Sequence, residues 1–186
     1  MEVSRRDRAL AAAIDLLGTQ GVRALTHARV DERAGLPRGS TSNYFRTRAA
    51  LVEGVVEEMV ARELPVVGPA LAVSDEAELV EALVALFEVL TGPQRVVTAA
   101  RLALYVEAGH DEVLGAALAR GRARMAEAVT PAFAALGAPD PDFATLVVAA
   151  LFEGMFLHVV ARHARVDARR LVEGAVRMAL AAPAPD

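Results

Sequence analysis

The stretch from Thr26 to Leu51 constrains the fold more than any other part of this chain. It reads Thr-His-Ala-Arg-Val-Asp-Glu-Arg-Ala-Gly-Leu-Pro-Arg-Gly-Ser-Thr-Ser-Asn-Tyr-Phe-Arg-Thr-Arg-Ala-Ala-Leu. Thr26 is a good N-cap for a short helix from His27 to Ala34. Gly35 supplies a turn, and Pro37 sits where a helix start tolerates it. A second short helix follows at about Arg38 to Phe45, polar, basic and free of acid. So little apolar surface serves a core poorly. It suits the DNA major groove well.

The charge distribution agrees. Residues 1–48 hold nine Arg against five acids, a balance of +4, while residues 49–186 hold eleven Arg against nineteen acids, a balance of −8. A basic head on an acidic body suits a polyanionic partner at one end. The chain has no Lys, so every cationic phosphate contact must come from Arg. It has no Cys, which excludes disulfides and thiolate metal sites.

The apolar fraction of 54% is rich in Ala, Leu and Val without strand-like alternation, and it predicts an all-α protein. Ser4 can cap a first helix to about Leu17, with Leu10, Ile14 and Leu17 at helical spacing. Thr47 caps a longer helix, about Arg48 to Glu63, with Leu51, Val55 and Met59 on one face. Pro65, Gly68 and Pro69 are expected to break it and to mark a seam. Further helices are expected at about 75–90, 94–108, 111–135, 140–163 and 167–181. The expected organisation is a DNA-binding domain over 1–48 and a ligand-binding and dimerisation domain over 49–186. The N-terminus lacks an apolar signal segment, which implies a cytoplasmic protein. The apolar run from Phe143 to Ala161 carries Glu153 and His158, so it is read as a buried or interface helix and not as a membrane span.

In a helix-turn-helix the first helix braces on the backbone and the second reads the groove. Gly35 makes the turn, and Val30 and Ala34 anchor the brace. Arg38, Ser40, Thr41, Ser42 and Asn43 offer polar reach, and Tyr44 and Phe45 pack inward or touch phosphate. Here the chain resembles the TetR family of transcriptional regulators. The family pattern, roughly Leu-Thr-x3-Val-Ala-x2-Ala-Gly-Val-Ser-x-Gly-Ser-Leu-Tyr-x-Tyr-Phe-x-Ser-Lys-x-x-Leu, lies over Leu25 to Leu51. It is matched at Leu25-Thr26, Val30, Ala34-Gly35, Gly39-Ser40, Tyr44-Phe45 and Leu51, with Thr47 and Arg48 standing for Ser-Lys. The resemblance implies that Tyr44 and Arg48 contact phosphates and that Thr26 touches the DNA backbone. It implies that Arg38, Ser40, Thr41, Ser42 and Asn43 face the groove, with Arg38 and Asn43 best equipped for base edges. Arg5 or Arg6 could add a phosphate contact.

Three positions depart from the pattern. Asp31 stands for a small Ala, Thr41 for Leu or Ile, and Ser42 for Tyr. Since the first two face each other across the turn, Asp31 is expected to accept from Thr41 or from a free amide starting the reading helix. The alternative is an Asp31 that points to solvent.

In the body, Met59, Phe87, Leu102, Tyr105, Met125, Phe133, Phe152, Met155 and Phe156 are either plain core or the lining of a pocket for a small hydrophobic effector. Arg101, Glu107, Glu153 and His158 look like buried polar groups, Glu153 being either a ligand acceptor or the partner of an Arg. Glu153 and His158 are five apart, about 140° around a helix, so they do not share a face as acid/base partners would. No catalytic set, metal site or cofactor is expected. The last two long helices are apolar on several faces, which predicts a homodimer through them. The whole describes a ligand-responsive repressor of double-stranded operator DNA. The alternative is a ligand-independent DNA-binding or adaptor protein on the same fold.

Overall fold

The structure is a computed structural model and describes residues 4–181. Among these residues the fold is all-α, without strands. The helices are α1 (Arg5–Gln20), α2 (His27–Ala34), α3 (Ser40–Tyr44), α4 (Arg48–Ala70), α5 (Glu76–Thr91), α6 (Arg95–Ala108), α7 (Glu112–Ala135), α8 (Pro141–Phe156) and α9 (Ala168–Ala181). A 3-10 turn at Val22–Ala24 joins α1 to α2, and a π-helical turn at Leu157–Ala161 extends α8.

The caps are local and simple. The Ser4 hydroxyl accepts from the Asp7 amide at 3.1 Å. Asp75 and Asp140 do the same for Glu78 and Phe143 at 2.8 and 2.9 Å. Each satisfies an amide that the first helical turn leaves without a partner.

Packing divides the chain into two compact units, residues 1–61 with 95–121 and residues 62–94 with 122–186. This differs from the 1–48 and 49–186 split expected on functional grounds, because α6 and the start of α7 join the N-terminal helices. In the first unit α1 packs on α6 and α2. Its core includes Leu10, Leu17, Val30, Leu51, Val55 and Leu104. The approach of α1 to α6 is close enough to demand glycine: a Cβ on Gly18 would lie 2.1 Å from the Val96 carbonyl oxygen.

In the second unit α9 packs on α8 and α5. Leu79, Phe133, Val172 and Val176 are fully buried there. The segment Pro141–Ala161 is long and apolar enough to cross a membrane, with mean hydropathy 2.0, yet it buries one face in this unit.

One expectation fails. Pro65 and Pro69 lie inside α4, which runs on to Ala70. A mid-helix proline costs about 3 kcal/mol. Val67 and Leu71, beyond Pro65, are buried, and burying such side chains contributes about 1.5–3 kcal/mol each. The division between units therefore falls inside a helix, after Ala61, and not at the expected proline seam.

Candidate nucleic-acid interface

The turn between α2 and α3 is built from glycine. Gly35 adopts the left-handed conformation (φ 61°, ψ 38°), which costs a residue without Cβ little. It ends α2 in a Schellman arrangement: the Leu36 amide donates to the Asp31 carbonyl at 2.8 Å, and the Gly35 amide to that of Glu32 at 3.2 Å. Arg8 of α1 donates to the carbonyls of Ala34 and Gly35 at 2.7 and 3.2 Å. A guanidinium there also complements the negative end of the helix dipole.

The expected reading helix, α3, is shorter than expected, five residues capped by Gly39 at φ 87°. Its side chains divide sharply. Ser42, Asn43 and Tyr44 are exposed, as is Arg38 just before it. Ser40 and Thr41, expected on the groove side, are buried instead. Ser40 Oγ donates to the Pro37 carbonyl at 2.6 Å. Thr41 Oγ1 donates to Asp31 Oδ1 at 2.5 Å.

Asp31 collects more than that hydroxyl. The Thr41 amide donates to Oδ1 at 2.8 Å and the Gly39 amide to Oδ2 at 2.7 Å. Both alternatives for its acceptor role therefore hold at once, and the solvent-pointing alternative does not. Asp31 is 2% exposed and Thr41 0%. Burial pushes the Asp31 carboxyl up. The bonds from the Thr41 hydroxyl and the two amides, with the nearby His27, together outweigh it and hold the pKa below the usual carboxylate value.

Three of the expected DNA-backbone contacts, Thr26, Arg6 and Arg48, are exposed and already engaged within the chain. Thr26 caps α2 by accepting from the Arg29 amide at 3.4 Å. Arg6 lies over the Phe45 ring, 5.6 Å from its centroid. Arg48 Nη2 is 3.8 Å from Glu107 Oε1, both about half exposed. Glu107 is therefore a surface group and not the buried one expected, and His158 is likewise exposed. Arg48 and Glu107 also border a small cleft of about 100 Å³ with Val22, Val52 and Leu104.

A residue that sequence reasoning did not single out is His27. Its Nε2 meets the Phe45 carbonyl at 2.6 Å, so Nε2 is the donor. The spacing of His27 and Asp31, four apart on α2, is the signal that could have found it.

The expected effector-binding residues fall into two groups. Met59, Leu102 and Tyr105 belong to the first unit, Met59 and Tyr105 in or against its core. Phe87, Met125, Phe152, Glu153 and Phe156 belong to the second. There Phe87 stacks on Phe156 at 5.8 Å, and Phe152 meets both rings edge-on at 6.0 and 5.7 Å. Phe133 and Met155 are buried in the same unit. Among the described residues, no three His, Asp or Glu side chains gather as a metal set would.

A family model for bacterial regulatory proteins of the tetR family matches residues 9–55, and one for the tetracyclin repressor-like C-terminal domain matches residues 74–182. The chain belongs to the TetR family. As a member it is a DNA-binding transcriptional regulator, with the helix-turn-helix of α2 and α3 inside the matched residues 9–55.

Solved structures agree with this regulator along almost its whole length. A TetR-family member from Streptomyces coelicolor A3 (SCO1917) is 26% identical with a TM-score of 0.76, over 95% of this chain and 99% of that one. The multidrug binding protein EbrR complexed with ethidium is 26% identical with a TM-score of 0.75, over 96% and 99%. The same protein with proflavin gives 26% and 0.67, over 94% and 99%. No curated protein matches the regulator significantly in sequence.

Proposed function

We propose that the regulator is a cytoplasmic homodimer that represses transcription from a near-palindromic operator and is released by a small hydrophobic molecule. The observation that carries the DNA half is the sorting of side chains on and around α3. Arg38, Ser42, Asn43 and Tyr44 are exposed, while the polar neighbours Ser40 and Thr41 are consumed internally. Arg38 and Asn43 are the base readers, since guanidinium and amide groups suit guanine and adenine edges. Tyr44, Thr26 and Arg48 take backbone phosphates, and Ser42 reaches DNA through water. Residues 1–48 read DNA, and residues 49–186 dimerise and bind the effector.

Dimerisation has support in α8 and α9. Phe143 and Leu146 of α8, Leu157 of the π-helical turn that extends it, and Leu171 and Met178 of α9 are exposed. Apolar faces of that kind call for a second apolar surface, and a two-fold copy supplies one. Effector binding has support in the likeness to EbrR, a multidrug binding protein solved with ethidium and proflavin. The aromatic cluster of Phe87, Phe152 and Phe156 is the place in the second unit where a flat hydrophobic molecule would be recognised, with Glu153 beside it for a cationic one. A second reading, a ligand-independent DNA-binding or adaptor protein, draws on the same cluster, because its rings already pack on one another.

Selection of duplexes from a random-sequence pool tests the DNA half. The wild-type protein should enrich a near-palindrome, and Arg38→Ala should weaken binding to it by about 1–3 kcal/mol while Arg120→Ala does not. Absence of salt-dependent enrichment discards both readings. Ethidium fluorescence separates them: a saturable rise that also lowers affinity for the selected duplex supports effector control, and no rise supports the adaptor.

A further inference from the structure

A helix of five residues cannot hold a direction by its own hydrogen bonds, because nucleation costs more than so few bonds return. Side chains of α2 take α3 at both ends. At its start Asp31 receives the Gly39 amide and the amide and hydroxyl of Thr41, at 2.5–2.8 Å. At its end His27 donates to the Phe45 carbonyl at 2.6 Å. The two side chains are one helical turn apart on α2 and so lie on one face. They grip the backbone one residue after Arg38 and one residue after Tyr44, the two limits of the exposed reading surface.

We infer that His27 and Asp31 form a two-ended polar clamp that sets the angle of α3 on DNA, which makes them positioning residues for base readout. Asp31 is buried, so its effect passes through the Gly39 and Thr41 amides and the Thr41 hydroxyl. An apolar contact can slide and rotate at little cost. Directional bonds at two points about 10 Å apart along the chain cannot, and a misplacement of about 1 Å is enough to lose bidentate base contacts. Phosphate attraction tolerates such shifts, because it acts at longer range. The clamp therefore governs discrimination between sequences more than affinity for DNA as such.

This rests on α3 being the reading helix, and the test separates the two claims. The wild-type full chain first selects duplexes from a random pool; failure to enrich any sequence counts against the proposed function. Affinity is then measured on the best selected duplex and on its scrambled counterpart, well below each variant's melting temperature. Asp31→Ala and His27→Ala should each lower the selected-to-scrambled affinity ratio by about tenfold or more, with scrambled binding and its salt slope unchanged. His27→Gln, whose amide can still donate to the Phe45 carbonyl, should restore most of the ratio. If Asp31→Ala lacks the wild-type helical signal, Thr41→Val decides instead, since it removes one of the three bonds and keeps the side-chain shape. A ratio that stays within about twofold overturns the clamp, and so does a parallel loss on both duplexes that tracks melting temperature alone.

Discussion

The surroundings of α3 and the outer faces of α8 and α9 obey opposite rules. Beside α3, polar groups are buried and fully bonded, and the exposed side chains are polar or cationic. On α8 and α9, apolar side chains are exposed, Leu146 at 64% and Met178 at 55%. A buried carboxylate is tolerable only with good partners, and Asp31 has three. Exposed leucine needs no internal partner but creates a need for an external one. What each surface leaves outside is therefore opposite in chemistry, and under the proposed function the first suits a polyanion and the second an apolar copy of itself.

The hardest blow to that comparison is Leu146→Arg combined with Met178→Arg. If the face pairs with a copy, two buried charges should weaken the dimer by at least about 3 kcal/mol and give a monomer in light scattering. A dimer that survives breaks the comparison. Asp31→Ala comes next, because it strands two backbone amides and a hydroxyl. It should lower the unfolding free energy by about 2–3 kcal/mol in denaturant melts.

The same residue adds a pH effect. Its folded pKa is depressed, so its contribution is complete above the unfolded value of about 3.9 and is lost as pH falls through the folded value. Asp31→Asn should remove that part of the acid unfolding. A flat stability difference between the two proteins across acid pH would show that Asp31 is not held as described.

Gly54→Ala probes the packing behind α3. A Cβ there would sit 2.5 Å from Cε1 of Phe45, the residue that closes α3, so the ring must move. A loss of about 1–2 kcal/mol is expected, together with weaker discrimination between duplexes. The smallest effect belongs to the exposed pair in which Arg169 grips both oxygens of Glu81 at 2.6 and 2.7 Å. Glu81→Gln should lower the melting temperature slightly at low salt and not at high salt, because solvent screens the pair. A larger loss would mean that surface charge matters more in the second unit than its apolar packing does.

Much of the fold was legible in the sequence, and the reasons are local. Ser4, Thr26 and Thr47 cap helices within three residues of themselves. The turn at Gly35 needs a positive φ that few other residues adopt, and Asp31 opposite Thr41 was visible as two departures from one family pattern. The site was less legible. Thr41 and Ser42 are neighbours of similar chemistry, yet one is buried and the other exposed. Their burial depends on where α2 lies, about 100° of helical rotation deciding between them. His27 looked like any helix-starting residue until its ring met the Phe45 carbonyl, eighteen positions away. Pro65 misled because a proline's cost is local and certain, while the burial of Val67 and Leu71 that offsets it is tertiary.

The helical class, the caps, the turn and the basic character of residues 1–48 follow from the order of residues alone. These depend on backbone conformation and charge, which act within a few residues or need no geometry at all. Which polar groups turn inward, how α2 holds both ends of α3, and which apolar faces remain uncovered emerge only when the helices pack. Those outcomes depend on which surfaces meet, and no local preference of a Ser, a Thr or a Leu contains that information.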